Sequence, residues 1–341
     1  MRRPFLRLFA RRLAAAAPGL AGVLVVTFFL MRALPGDPAA YFAGNAASKE
    51  AIEQVRVKLG LDKSLPEQFA IYLGDLARGN LGQSVTTGQP VRTEILSRLP
   101  ASLELTLTAL LLAVAVALPA GVLAATRPGS WIDQSVRVVT TAGVSLPTFF
   151  TGLLLVYVFY YLLGWSPPPT GRLDSLFPTP PTVTGFYLAD SLAARDLETF
   201  GACLRQLALP AVTMALFVMA PLARMTRASM LGVLSSDFIR TARASGLSRR
   251  TVLWTYGFRN AMLPVVTTLG MIFSFMLGAN VLVEKVFAWP GIGSFALEAL
   301  LASDYAPVQG FILTMATLYV LLNLGIDLLY GLIDQIGRAH V

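Results

Sequence analysis

Six stretches of this chain are apolar for about 20 residues or more, and that spacing constrains the fold more than any other feature. They are Leu13–Leu34, Ala101–Ala125, Val136–Leu163, Leu207–Leu231, Met262–Phe287 and Val308–Ile333. A helix needs roughly 20 apolar residues to cross the hydrocarbon layer of a bilayer. Six such runs predict an all-α, polytopic membrane protein with six transmembrane helices. Composition agrees: 13% of residues are charged and the mean hydropathy is +0.65, whereas soluble domains carry about 25% charged residues. A single water-soluble core cannot hide that much apolar surface, but a lipid bilayer solvates it.

The first run follows Arg2, Arg3, Arg7, Arg11 and Arg12, the pattern of a secretory signal. It is long for a signal, lacks a small-x-small cleavage site and continues into Arg32 and Leu34-Pro35-Gly36-Asp37-Pro38. It is expected to be a retained first span. The net charge of +8 does not indicate nucleic acid, because the basic residues fall at the ends of apolar runs rather than in one patch.

Arginine placement predicts the orientation. With six spans, the N-terminus, the loop Thr126–Arg137 and the segment Arg224–Arg259 share one side. That side carries Arg127, Arg137, Arg224, Arg227, Arg240, Arg243, Arg249, Arg250 and Arg259 against chiefly Asp133 and Asp237. Positive loops stay in the cytoplasm, so both termini are expected there. The other side holds most of the acidic residues, in Ala39–Pro100, Gly164–Arg205 and Ala288–Pro307. The first of these should contain helices near Lys49–Leu59 and Pro66–Arg78. The second, with Pro167-Pro168-Pro169, Pro178, Pro180 and Pro181, should begin as an extended loop. The third turns at Trp289-Pro290-Gly291-Ile292-Gly293.

Enzyme chemistry finds little support. Cys203 is the only cysteine and His340 the only histidine, so a disulfide framework, a thiolate metal site and His-based catalysis are not expected. No Gly-x-x-x-x-Gly-Lys-Ser/Thr phosphate loop exists; Lys63-Ser64 follows Asp62 instead. No cofactor is expected, and ATP, if used, must be hydrolysed by another polypeptide. Within the spans, Glu104 is expected to be solvated at the interface rather than to touch cargo. Asn323 and Asp327, four apart on one helical face, are candidates for bonding another helix or lining a pathway, the former preferred. Pro119, Pro147 and Pro210 read as tolerated helix kinks, and Cys203 as inert.

The segment Asp237–Pro264 is too polar to span and too regular for a random loop. Arg240-Thr241-Ala242-Arg243-Ala244-Ser245 suits a short helix, Gly246 ends it and Ser248 caps a second helix, Arg249–Asn260. Two helices at a glycine elbow make a rigid projection that can dock in a groove on another protein. The segment resembles the "EAA" loop of binding-protein-dependent ABC importer permeases. Aligned on Gly246, Arg240, Thr241 and Ala242 stand for Glu-Ala-Ala. Tyr256, Phe258 and Arg259 replace its Ile, Leu and Pro.

Those departures resemble one subfamily, the first permease of dipeptide, oligopeptide and nickel importers, whose loop reads like RTARAKGLS and then LRNALLP. This chain has RTARASGLS and FRNAMLP. Further resemblances are LPGDP (Leu34–Pro38), LPASLELT (Leu99–Thr106), Ser145-Leu146-Pro147, LARMTRASM (Leu222–Met230), VEKVFAWPGIG (Val283–Gly293), Asp304-Tyr305 and Val308-Gln309-Gly310. The resemblance implies a type I ABC importer permease in a bacterial inner membrane, with domains at 1–98 and 99–334. It implies that Arg240, Thr241, Ala242, Arg243, Ala244, Ser245, Gly246, Leu247 and Ser248 couple to cytoplasmic ATPase subunits. Its other implied partners are a second permease, in a heterodimer, and an external solute-binding protein. Cargo is expected to be di- or oligopeptides, with nickel chelates, glutathione-like tripeptides or oligosaccharides as alternatives. An ion-coupled carrier or channel, the rival class, calls for mid-span carboxylates or inverted repeats, and neither is evident. After Asp334 the relatives' usual ending is replaced by residues 335–341, which read like translated sequencing-adapter DNA; they are excluded from functional reasoning, and resequencing the locus tests that exclusion.

Overall fold

The computed structural model describes residues 2–33, 38–44, 47–58 and 60–338. In chain order the helices are α1 (Arg2–Ala33), α2 (Pro38–Ala43), α3 (Lys49–Lys58), α4 (Leu65–Ala77), α5 (Val91–Thr126), α6 (Trp131–Ser145) and α7 (Thr148–Leu155). A π-helical segment, Val156–Leu162, extends α7. Then follow α8 (Tyr187–Ala193), α9 (Leu197–Leu234), α10 (Asp237–Ala244), α11 (Arg249–Thr251) and a second π segment, Val252–Phe258. The last three are α12 (Arg259–Val286), α13 (Ile292–Leu301) and α14 (Tyr305–Arg338). Among the described residues the only extended pairing is an isolated bridge between Gln83 and Pro90. The all-α expectation holds.

The spans differ in detail from the sequence reading. Among the described residues, four helical stretches are long and apolar enough to cross a membrane: Val91–Thr126, Leu197–Leu234, Arg249–Gly278 and Tyr305–Ile326. Helix α1 adds the apolar stretch Ala17–Ala33 within its 32 residues. The expected third span is broken rather than kinked. Trp131–Gly143 and Thr148–Leu162 meet at 99°. The cause is local: Pro147 excludes the preceding residue from helical geometry, and Leu146 is extended at φ −105°, ψ 141°. Helices α5 and α9 each begin about ten residues before the predicted spans, with 36 and 38 residues. At 1.5 Å per residue they are about 54 and 57 Å long, more than the hydrocarbon thickness requires.

The chain divides into two compact units. One comprises Met1–Ser102 and Pro290–Leu321. Its core joins Val91 and Ile95 of α5 to Ile292 and Phe295 of α13, with Phe311 and Met315 against them. Helix α4 starts with a capping box, Ser64 with Glu67, and lays Phe69 and Tyr72 against the buried Phe28 ring of α1, at 5.0 and 5.6 Å between centroids. Asp304, buried at the start of α14, accepts hydrogen bonds from Ser84 Oγ (2.7 Å), Thr86 Oγ1 (2.8 Å) and Thr86 N (3.0 Å). These hold the turn before α5 in place.

The other unit comprises Leu103–Trp289 and Leu322–Val341 and is built on α9, which packs most extensively against α12 and α6. Its cores join Ala117, Leu222, Ala223 and Val265, then Val122, Ala125, Met230 and Ala261. Glycine permits the close approach of α5 to α9: a Cβ on Gly121 would lie 2.6 Å from Thr226 Cβ and 2.9 Å from the Ala223 carbonyl oxygen.

Glu104 corrects the sequence reading. It is not solvated at an interface but 5% exposed, and Arg172, 7% exposed, donates from Nη2 to its Oε2 at 2.6 Å. Leu188 N donates to the other carboxylate oxygen at 2.8 Å. Arg172 also reaches the Gly185 carbonyl oxygen (2.8 Å) and lies 3.6 Å above the Tyr187 ring centroid. A proline-rich loop cannot bond to itself as a helix does, so it is fastened from outside. Gln206 Nε2 donates to Pro168 O (2.8 Å), and Gly171 N donates to Phe287 O (3.1 Å).

The same loop contains a carboxylate tuned by its surroundings. Burial pushes Asp190 up, but hydrogen bonds from the Thr184 hydroxyl and from the backbone N–H of Thr184, Gly185 and Val183 outweigh it, and the group stays below its ordinary 3.8. A depressed carboxylate contributes stability above its unfolded pKa and loses it as pH falls through the folded one. The thermal midpoint of wild type should therefore drop more steeply between about pH 5 and pH 3 than that of Asp190→Asn. Equal slopes would remove Asp190 from the acid response.

Candidate functional site

The polar segment between α9 and α12 forms the elbow expected from the sequence. Helix α10 buries one side only: Ile239 and Ala242, three apart, pack with Val252 and Val233. Arg240, Thr241, Arg243, Ala244 and Ser245 all face outward. Helix α10 ends in a Schellman turn. Leu247 N donates to Ala242 O (3.3 Å), Gly246 N donates to Arg243 O (3.1 Å), and Gly246 has φ +77°. That φ is what makes glycine necessary, since a Cβ there would meet no atom within 4 Å.

Ser248 then caps the next helix, accepting from Thr251 N at 3.2 Å. The second helix does not stop at Asn260 as the sequence suggested. Helix α11 passes through the π segment Val252–Phe258 into α12 with no break, and Pro264 lies inside α12. The elbow is thus continuous with a membrane span. Gly257 lets the π segment close on α9: a Cβ there would lie 3.2 Å from Leu234 Cδ2 and 3.2 Å from Val252 O. π-helical turns concentrate at functional positions.

A second feature at this level escaped the sequence reading. Asp133, in the first turn of α6, is 1% exposed and receives a forked pair from Arg227 of α9, Nε to Oδ1 at 2.5 Å and Nη2 to Oδ2 at 2.7 Å. Gly129 N adds a bond to Oδ2 at 3.0 Å. Two parallel N–H···O bonds fix direction as well as distance, so the α5–α6 loop is clamped to α9. The available clue was that Asp133 is one of few acids among many arginines on its side.

Of the two candidate pathway residues, Asn323 is partly exposed, and no hydrogen bond joins its side chain to another described residue. The side chain of Asp327 lies outside the described residues, as does His340. Among the described residues no group of three or more His, Cys, Asp or Glu could hold a metal ion. The elbow is exposed, basic and continuous with a span.

The family described as Binding-protein-dependent transport system inner membrane component matches residues 117–336. The chain belongs to this family. The companion N-terminal family, described as Binding-prot-dependent transport system membrane comp, N-term, matches residues 5–106. Membership and the apolar helices make the chain a multi-pass inner-membrane protein of binding-protein-dependent transport. The chain is 44% identical over 328 residues to the Di/tripeptide transport system permease protein DppB of Pseudomonas aeruginosa (strain UCBPP-PA14), covering 96% of this chain and 97% of that one. It is 44% identical over 321 residues to the Probable D,D-dipeptide transport system permease protein DdpB of Escherichia coli (strain K12), covering 94% of each. Identity to the Dipeptide transport system permease protein DppB of Alkalihalophilus pseudofirmus is 38% over 324 residues.

Proposed function

We propose that this chain forms part of the translocation pathway of an ATP-driven importer of di- or oligopeptides. The observation that carries the mechanism is the exposed Schellman elbow at Gly246, continuous through α11 and the π segment with the span α12. In this reading Arg240–Ser248 seats in a cleft of a cytoplasmic ATPase subunit. Closure of two ATPases on ATP displaces the elbow, and an unbroken helix carries that displacement into the membrane. The Asp133–Arg227 clamp makes α9 and the α5–α6 loop move with it. Cargo arrives from an external solute-binding protein.

In this reading both termini are cytoplasmic, which the arginine bias supports. A second, different permease completes the pathway, and residues 99–334 form the transport core with 1–98 as the N-terminal segment. Asn323 and Asp327 stay as candidates for helix contact or pathway lining. Peptide cargo rests on the names of relatives that align along nearly the whole chain.

The test is uptake of a labelled dipeptide into vesicles carrying the assembled operon, with and without ATP inside. ATP-dependent accumulation is expected. Uptake that ignores ATP would remove the coupling mechanism. ATP-driven uptake of a nickel chelate or oligosaccharide alone would keep the machine and discard peptide cargo.

A further inference from the structure

A cavity of about 890 Å³ opens where α5 and α9 end. Its walls include Leu231, Leu234, Val252 and Leu253, and its polar side carries Arg127, Arg243 and Arg249. No carboxylate is among its lining residues. Among the described residues no ion pair engages these three arginines, whereas the neighbouring Arg227 and Arg240 pair with Asp133 and Asp237. The hydroxyls of Thr126 and Ser235 already donate to Leu123 O and Gly232 O. The free recognition chemistry is therefore three guanidinium groups beside an apolar wall. That combination matches a phosphate attached to hydrocarbon.

Membrane depth argues for the same occupant. The cavity lies at the ends of two helices long and apolar enough to span. Trp131, 76% exposed, follows Arg127 by four residues, and the exposed Trp254 follows Leu253. Exposed tryptophans mark the level of lipid headgroups. Basic pockets between membrane helices bind anionic headgroups, and this volume suits a small ligand.

We infer that this cavity binds one anionic phospholipid, its phosphate held by Arg127, Arg243 and Arg249 and the start of an acyl chain lying on Leu231, Leu234, Val252 and Leu253. Because Arg243 and Leu247 belong to the elbow, the lipid would bridge the elbow to the ends of α5 and α9. The site goes beyond the transport reading and shares Arg243 and Leu247 with the stretch assigned there to an ATPase subunit; lipid retention is read without ATP or cargo, so failure of either idea is separately visible.

Native mass spectrometry of the purified full chain, with dioleoyl-phosphatidylglycerol and dioleoyl-phosphatidylcholine offered separately, tests it. Retention of one phosphatidylglycerol is expected, with phosphatidylcholine held at least about tenfold less. Arg127→Gln with Arg249→Gln should weaken phosphatidylglycerol retention roughly 30-fold, while Arg127→Lys with Arg249→Lys keeps most of it and controls for folding. Equal retention of both lipids, or unchanged retention in the glutamine variant, would overturn the assignment. So would binding of soluble glycerol 3-phosphate as tight as that of the lipid, which marks a free-anion site. Absence of any retained lipid also overturns it, leaving an acidic protein surface as the occupant.

Discussion

Replacing Arg172 by alanine should cost about 3–5 kcal/mol of stability, the loss expected when one partner of a buried ion pair is removed. Glu104 is 5% exposed and would keep only the Leu188 N–H as a donor. A buried carboxylate left with too few donors opposes folding. The loop would also lose the Arg172 bond to Gly185 O and the stacking on Tyr187. The measurement is the thermal midpoint of the purified chain for Arg172→Ala, Glu104→Ala and the double variant. The two single losses should be strongly non-additive, with the double variant no worse than either single one. Additive losses would mean that the pair does not act as a unit. Replacing both residues by apolar ones of similar size should recover much of the stability.

Substitutions at Gly246 should separate assembly from transport. Proline cannot reach φ +77° and lacks the N–H that bonds to Arg243 O. Alanine can form that bond but pays about 1–2 kcal/mol for the left-handed conformation, and asparagine tolerates it best among residues with side chains. ATP-driven uptake should therefore fall in the order Gly, Asn, Ala, Pro, with proline losing at least about tenfold. The elbow is exposed, so membrane levels of all four proteins should stay similar. Proline uptake equal to wild type would show that the Schellman turn does not transmit force. Loss of the protein from the membrane would show instead that Gly246 serves folding.

Much of the site was legible locally. The spacing Arg240 to Ser248 encodes a helix, a left-handed glycine and a cap, and each is decided by residues fewer than six apart. Helix α4 was equally readable from Ser64, Pro66 and Glu67. The break at Leu146-Pro147 was misjudged because proline allows either a kink or a break, and here Leu146 takes the extended conformation that ends the helix. The boundary at Asn260 failed for a related reason. The π segment Val252–Phe258 joins α11 to α12 without a break, and Pro264 falls inside α12.

Contacts between distant residues were not legible at all. Glu104 and Arg172 are 68 positions apart, and Asp133 and Arg227 are 94 apart. In one sequence a charge near a span end looks the same whether water or a partner neutralises it. The chain by itself determined its class, its helical content, its membrane setting and its elbow, because hydrocarbon thickness, arginine bias and backbone conformation act through residue type and short spacing. Only the tertiary structure decided which charges leave water, which loop is fastened to which helix and where the arginine-lined cavity opens. Those outcomes depend on what packing brings within 3 Å, and no local rule encodes that distance.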